Sequence, residues 1–192
     1  ARYPNGDKYE GEFSRGVRQG LGIYTYHDGE RYEGAFVNDR QHGKGVCYFN
    51  DGRVYDGFWE LDYMHGYGKM EYPNGDIYVG AWSEDNRSGT GSYFYTNGAS
   101  YSGEWLADKY NGMGTFVWSD NSKYVGGWKS GLRHGEGKFV ADDKLIAELE
   151  AKHLVAVKYA NPDGSIAVNK RFKDMKALAD YAHSKGLKIG LY

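Results

Sequence analysis

Tyr72-Pro73-Asn74-Gly75-Asp76-Ile77-Tyr78-Val79-Gly80-Ala81-Trp82 holds a turn followed by a strand. Asn-Gly between two apolar alternations is the strongest short-range hairpin signal, and it predicts a two-residue type I′ turn with both residues in the left-handed region. After the turn, side chains alternate with period two, so Tyr78, Gly80 and Trp82 share one face. The preceding stretch Gly66-Tyr67-Gly68-Lys69-Met70-Glu71-Tyr72 places Gly66, Gly68, Met70 and Tyr72 on one face as well.

The same text recurs outward in both directions at a constant step of 23 residues. Tyr-x-Gly-x-aromatic appears at Tyr9-Gly11-Phe13, Tyr32-Gly34-Phe36, Tyr55-Gly57-Trp59, Tyr78-Gly80-Trp82, Tyr101-Gly103-Trp105 and Tyr124-Gly126-Trp128. A Gly-x-Gly pair keeps the step from Gly20/Gly22 to Gly135/Gly137. Asn-Gly or Asp-Gly precedes five of the six motifs, and Asp120-Asn121 takes its place in the last, Asn being the next best residue for positive φ. The position of Met70 is apolar in every unit (Tyr24, Cys47, Tyr93, Phe116, Phe139), and that of Tyr72 is aromatic in the first five (Tyr26, Phe49, Tyr95, Trp118). Such a period means a repeat array.

Glycines on the ring face let an aromatic from the adjacent strand lie across bare backbone. Strand glycine costs about 0.5–1 kcal/mol, and each buried ring returns a few kcal/mol, so the rings prevail. The expected fold is therefore mainly β: an elongated single-layer antiparallel sheet of six hairpins over residues 1–140. Structural glycines are Gly34, Gly57, Gly80, Gly103 and Gly126. The rings Tyr32, Phe36, Tyr55, Trp59, Tyr78, Trp82, Tyr101, Trp105, Tyr124 and Trp128 are either the core or the lining of a partner groove.

The composition agrees: 29 glycines and 19 tyrosines in 192 residues suit rings over backbone better than a thick aliphatic core. Despite a mean hydropathy of −0.75, three prolines and no Ser/Gly tract argue for order. Cys47 is alone, which excludes an intrachain disulfide and favours a cytoplasmic setting. No apolar run approaches a membrane span, and no signal peptide is visible. The first residues fall in mid-repeat and the last on an apolar run, so both ends read as cut from something longer. Residues 1–140 carry 15 basic and 19 acidic side chains, hence −4, and residues 141–192 carry 9 and 7, hence +2. Neither is the basic footprint of a nucleic-acid binder.

The unit Tyr72 to Trp82, with the His42-Gly43-Lys44-Gly45 and His134-Gly135-Glu136-Gly137 halves, resembles the MORN (membrane occupation and recognition nexus) repeat. That family implies a fold rather than one function. Its members include junctional membrane proteins, ciliary radial-spoke proteins, basal-complex cytoskeletal proteins and regulatory arms of lipid kinases and methyltransferases.

After Val140 the register fails, and residues 141–192 form a separate tail, whether cap, fusion or truncated segment. Leu145–Leu154 reads as a helix, Leu154–Val157 as a strand and Asn161–Gly164 as a turn. Arg171–Lys185 reads as an amphipathic helix with Phe172, Met175, Leu178, Ala179 and Ala182 on one stripe, and Leu187–Tyr192 as a strand. The order is α-β-α-β. Arg171-Phe172 with Met175–Tyr192 is similar to a segment of the α-galactosidase-type glycoside hydrolase barrel, in which an Arg-Phe-Pro turn opens a helix. Here Lys173 replaces the proline and the preceding Asp-Asp-x-Trp is missing. Asp163, Asp174 and Asp180 sit on a turn and helix faces, without the paired placement that glycoside hydrolysis needs.

No catalytic, cofactor or metal site emerges. His42, His65 and His134 share one slot, but Gln19, Ser88 and Asn111 fill it elsewhere, and adjacent units stand roughly 10 Å apart. A turn-capping polar residue explains the slot better than zinc. Cys47 occupies an apolar slot and reads as a buried hydrophobe. No helix follows Gly-x-Gly, which removes a phosphate-loop reading. The favoured function is a non-catalytic scaffold, cytoskeletal or ciliary, offering an aromatic groove to a partner helix or extended peptide. The alternatives are a membrane-tethering module for anionic phospholipid, which the −4 repeat region disfavours, and a truncated glycoside hydrolase fragment. Open sheet edges predict homodimeric or end-to-end association.

Overall fold

The computed structural model describes residues 1–141 and the backbone of two short strands, 158–160 and 166–168. Residues 1–119 and 125–137 form one compact unit, and 120–124 with 138–192 form a second. Twelve strands follow one another in a single open antiparallel sheet whose spatial order equals the sequence order. They are β1 (Lys8–Ser14), β2 (Val17–Thr25), β3 (Arg31–Val37), β4 (Arg40–Tyr48), β5 (Val54–Glu60), β6 (Tyr63–Glu71), β7 (Ile77–Ser83), β8 (Asn86–Phe94), β9 (Ser100–Leu106), β10 (Lys109–Val117), β11 (Lys123–Lys129) and β12 (Leu132–Val140). The described residues contain no helix.

Register follows the glycines. Gly68 pairs with both Gly57 and Gly80, and Gly45 with both Gly34 and Gly57. A row of glycine thus crosses the sheet from strand to strand, and tyrosines lie over it. Tyr55 in β5 covers Gly57 on its own strand and Gly68 on β6, and its hydroxyl donates to Phe58 O at 2.9 Å. Tyr9, Tyr32, Tyr78 and Tyr101 make the equivalent bond to Glu12, Ala35, Ala81 and Glu104 at 2.8–3.0 Å.

The turns differ from the expectation. Asn-Gly and Asp-Gly do not form two-residue type I′ turns. Tyr72 N donates to Asp76 O at 3.0 Å and Gly75 N to Tyr72 O at 2.8 Å, which closes a three-residue connection. This is a type I turn with a glycine bulge, and only Gly75 (φ 86°) is left-handed. Asn74 is there for its side chain, whose Oδ1 accepts from Asp76 N at 3.0 Å. Asp28, Asp51 and Asn97 make the same bond in their units. In the sixth unit Asn121 takes positive φ (64°), as expected.

The two-residue turns lie at the opposite edge, and four of them contain no glycine but end in Asp. Both residues have positive φ in Asn38-Asp39, Leu61-Asp62, Glu84-Asp85 and Ala107-Asp108. Left-handed backbone costs a non-glycine residue about 1 kcal/mol or more. Each Asp offsets that cost across the repeat boundary. Asp85 N donates to Met64 O at 3.1 Å, and Asp85 Oδ1 accepts from Met64 N at 2.8 Å. Asp39, Asp62 and Asp108 form the same reciprocal pair with Arg18, Gln41 and Arg87. Only the folded array supplies these partners.

Beyond residue 141 the structure describes β13 (Lys158–Ala160) and β14 (Ile166–Val168), which pair antiparallel. The helices expected over 145–154 and 171–185, the strands over 154–157 and 187–192 and the turn at 161–164 lie outside the described residues.

Candidate functional site

The ten rings singled out in the sequence are buried by their own chain. None exceeds the 8% exposure of Trp128; Tyr32, Tyr55, Tyr78 and Tyr101 are fully buried, and Tyr124 stands at 7%. Within residues 1–119 and 125–137 each motif tyrosine meets one ring from its own strand and one from the next unit. The contacts run Tyr9–Phe36–Tyr32–Trp59–Tyr55–Trp82–Tyr78–Trp105–Tyr101–Trp128 without a gap. Centroids lie 5.1–5.5 Å apart with planes at 79–90°, the edge-to-face geometry that ring quadrupoles favour. Trp59, Trp82, Trp105 and Trp128 donate Nε1–H to Gly45, Gly68, Gly91 and Gly114 carbonyls at 3.1–3.3 Å, so each of these four indoles is bonded.

Four of the five glycines also hold backbone against backbone. A Cβ on Gly34 or Gly103 would stand 2.5 Å from the Cα of Gly45 or Gly114, and Gly57 and Gly80 are closed in the same way. Gly126 is buried. The first glycine of each Gly-x-Gly serves a different purpose: Gly43, Gly66 and Gly89 take φ of 65–78° at the bulge where β3–β4, β5–β6 and β7–β8 shift register.

What remains on the ring face is a second strip of half-buried aromatics. Tyr72, Tyr93, Tyr95, Phe116 and Trp118 form a continuous row with centroid separations of 5.6, 4.5, 6.1 and 5.0 Å. The sequence marked these slots as apolar without separating them from the core. Cys47 and Met70 interrupt the row in the earlier units, where they are buried. The Cys47 thiol lies 3.8 Å from Glu30 Oε1, and burial pushes its pKa up to about 12, which removes it as a nucleophile at neutral pH.

Arg87 and Tyr110 separate the strip from the buried zipper. The Arg87 guanidinium lies 4.6 Å over Trp105 and 5.4 Å over Tyr93, and Asp108 fixes its Nε at 2.8 Å. Tyr110 stacks on Tyr101 at 3.7 Å and 17°, and its hydroxyl contacts that of Tyr95. Sequence reading missed both, because their slot holds Arg18, Gln41, Met64, Arg87, Tyr110 and Arg133 in successive units and shows no constancy.

Two buried carboxylates brace this face from the glycine-turn side. Asp7 accepts from Tyr24 OH, His27 N and Asn5 Nδ2 at 2.7–2.9 Å. Asp76 accepts from Thr96 N, Asn74 Nδ2 and Tyr93 OH at 2.9–3.0 Å. The Tyr24 bond leads in holding Asp7 below the usual carboxylate range, against burial. For Asp76 burial raises the pKa, and the bonds from Thr96, Asn74 and Tyr93 outweigh it. A carboxyl depressed on folding adds stability above its unfolded value, about 3.9, and loses it as pH falls through that value toward the folded one. A flat thermal midpoint from pH 7 to about 5 and a fall below about 4 are expected, with a shallower fall in Asp76→Asn. Calorimetry across pH checks this; an identical acid slope in Asp76→Asn would contradict it.

The MORN repeat matches six consecutive segments, residues 9–31, 32–52, 55–77, 78–100, 101–123 and 124–144. The chain belongs to the MORN-repeat family. In MORN terms the strip runs from the third repeat to the fifth. The match ends at residue 144 and gives the glycoside-hydrolase resemblance of the tail no support. No curated protein matches the sequence. Among solved structures, the SAS-4 (dCPAP) TCP domain of Drosophila melanogaster, in complex with a proline-rich motif of Ana2 (dSTIL), is similar at 15% identity, over 88% of this chain and 82% of that one, with TM-score 0.45. The TCP10 domain of Danio rerio CPAP in complex with a STIL peptide is similar at 13% identity, over 88% and 92%, with TM-score 0.32. Among the described residues no helix is long and apolar enough to cross a membrane.

Proposed function

We propose that this MORN array is a non-catalytic scaffold that binds a partner protein along the strip Tyr72, Tyr93, Tyr95, Phe116 and Trp118. The observation that carries the proposal is the continuity of five half-buried rings beside a core that already has its own ring contacts. Rings locked by neighbours lose little entropy on binding, and their hydroxyl and guanidinium edges supply direction. An apolar stripe of a helix or an extended peptide fits such a surface. The strip presents no positioned nucleophile or acid–base pair. A cytoskeletal or ciliary setting belongs to the same proposal, on the precedent of the family.

Tyr95→Ser with Trp118→Ser is the test. Circular dichroism should stay unchanged while cross-linked partner capture falls at least about tenfold, the loss expected of central aromatic anchors. Phe94→Ser on the opposite face should have no effect. Undiminished capture by the double variant, or salt-sensitive pelleting with anionic vesicles in place of protein capture, would refute the strip.

A further inference from the structure

The face opposite the rings holds one hairpin that departs from its neighbours. Phe58, Leu61, Tyr63 and Tyr67, all in β5–β6, are 50–61% exposed. The unit before has Ala35, Asn38, Arg40 and Lys44 in these slots, and the unit after has Ala81, Glu84, Asn86 and Thr90. Large apolar side chains concentrated in one unit are not required by the repeat.

Leu61 sharpens the point. It sits in the two-residue turn at φ 53°, a conformation that branched apolar residues resist and that Asn38 adopts more easily at φ 49° in the preceding turn. Its side chain is half exposed, so burial returns little. Strain together with exposure is unfavourable for the isolated chain and points to a use outside it.

Around this turn the charge is acidic, and Lys44, opposite Phe58 on β4, lies 4.0 Å from Asp56. Turn segments 60–63 and 83–86 carry Glu60, Asp62, Glu84 and Asp85 and no Lys or Arg. In β5–β6 the single Lys or Arg is Lys69, which is paired with Glu71. We infer that this hairpin docks a basic amphipathic segment of a partner protein. Apolar side chains of the segment enter among Phe58, Leu61, Tyr63 and Tyr67, and its Lys and Arg meet the four acids. An anionic membrane is repelled by the same charge. The surface lies on the opposite side of the sheet from the aromatic strip and stands or falls separately.

The probe is a labelled helix-forming peptide of about 18 residues with Lys on one face and Leu and Phe on the other, at about 0.15 M salt. A Glu-for-Lys version and vesicles containing phosphatidylserine run in parallel. The Lys peptide should bind with micromolar Kd, and Phe58→Ser with Tyr67→Ser should weaken it at least about tenfold. Leu61→Asn should weaken it while the thermal midpoint holds or rises, since the turn is relieved. Tyr95→Ser, on the other face, should leave the affinity unchanged. No binding, equal binding of the Glu peptide, indifference to the Phe58, Tyr67 and Leu61 changes, or preferential binding to the vesicles would each overturn the inference.

Discussion

Gly103→Ala is expected to destabilise the sheet by about 3 kcal/mol, at the upper end of ordinary overpacking penalties. The new methyl would lie 2.5 Å from Gly114 Cα, 2.6 Å from Met113 O and 2.7 Å from the Tyr101 hydroxyl. Two of those atoms are backbone, so no rotamer change clears the space. Gly103 lacks positive φ, and the effect is therefore one of volume alone. Gly16 provides the contrast: it has φ 84° with nothing within 4 Å of an added Cβ, and Gly16→Ala should cost only about 1 kcal/mol through its backbone. Urea unfolding with unchanged m-value measures both. Equal losses at the two sites would mean that the glycine row is not close-packed.

Tyr78→Ala should cost about 3–5 kcal/mol, as for other large aromatic truncations. The fully buried ring touches Trp82 at 5.2 Å and Trp105 at 5.1 Å and lies over Gly80 and Gly91. Removing it opens a gap between the fourth and fifth hairpins. In a one-dimensional array such a gap uncouples the units on either side, so unfolding should become biphasic. Tyr78→Phe keeps the ring and loses only the 2.9 Å bond to Ala81 O, at about 1 kcal/mol. A single sharp transition with midpoint unchanged in Tyr78→Ala would show that the zipper does not couple neighbours.

The candidate site was only partly readable from sequence. Constancy picked out Tyr78 and Trp82, and constancy is the mark of the core: every unit must bury the same ring against the same glycine. A binding surface on a repeat array shows instead where units differ, as at Arg87, Tyr110, Phe58 and Leu61. Searching for periodicity averages those differences away. The Asn-Gly turn was placed correctly and given the wrong geometry, because Asn serves both a left-handed φ and an Asx bond, and the choice depends on whether the connection has two residues or three.

By itself, the sequence determined the hairpin count, the strand faces and the glycine–tyrosine register, since these follow from alternation and a fixed 23-residue step. Tertiary structure alone decided which rings are core and which remain half exposed, and how Leu61-Asp62 or Glu84-Asp85 hold left-handed turns. Both depend on groups from the neighbouring repeat: the next unit's tryptophan against each tyrosine, and the Met64 amide and carbonyl on Asp85, contacts that exist only once one hairpin has paired with another.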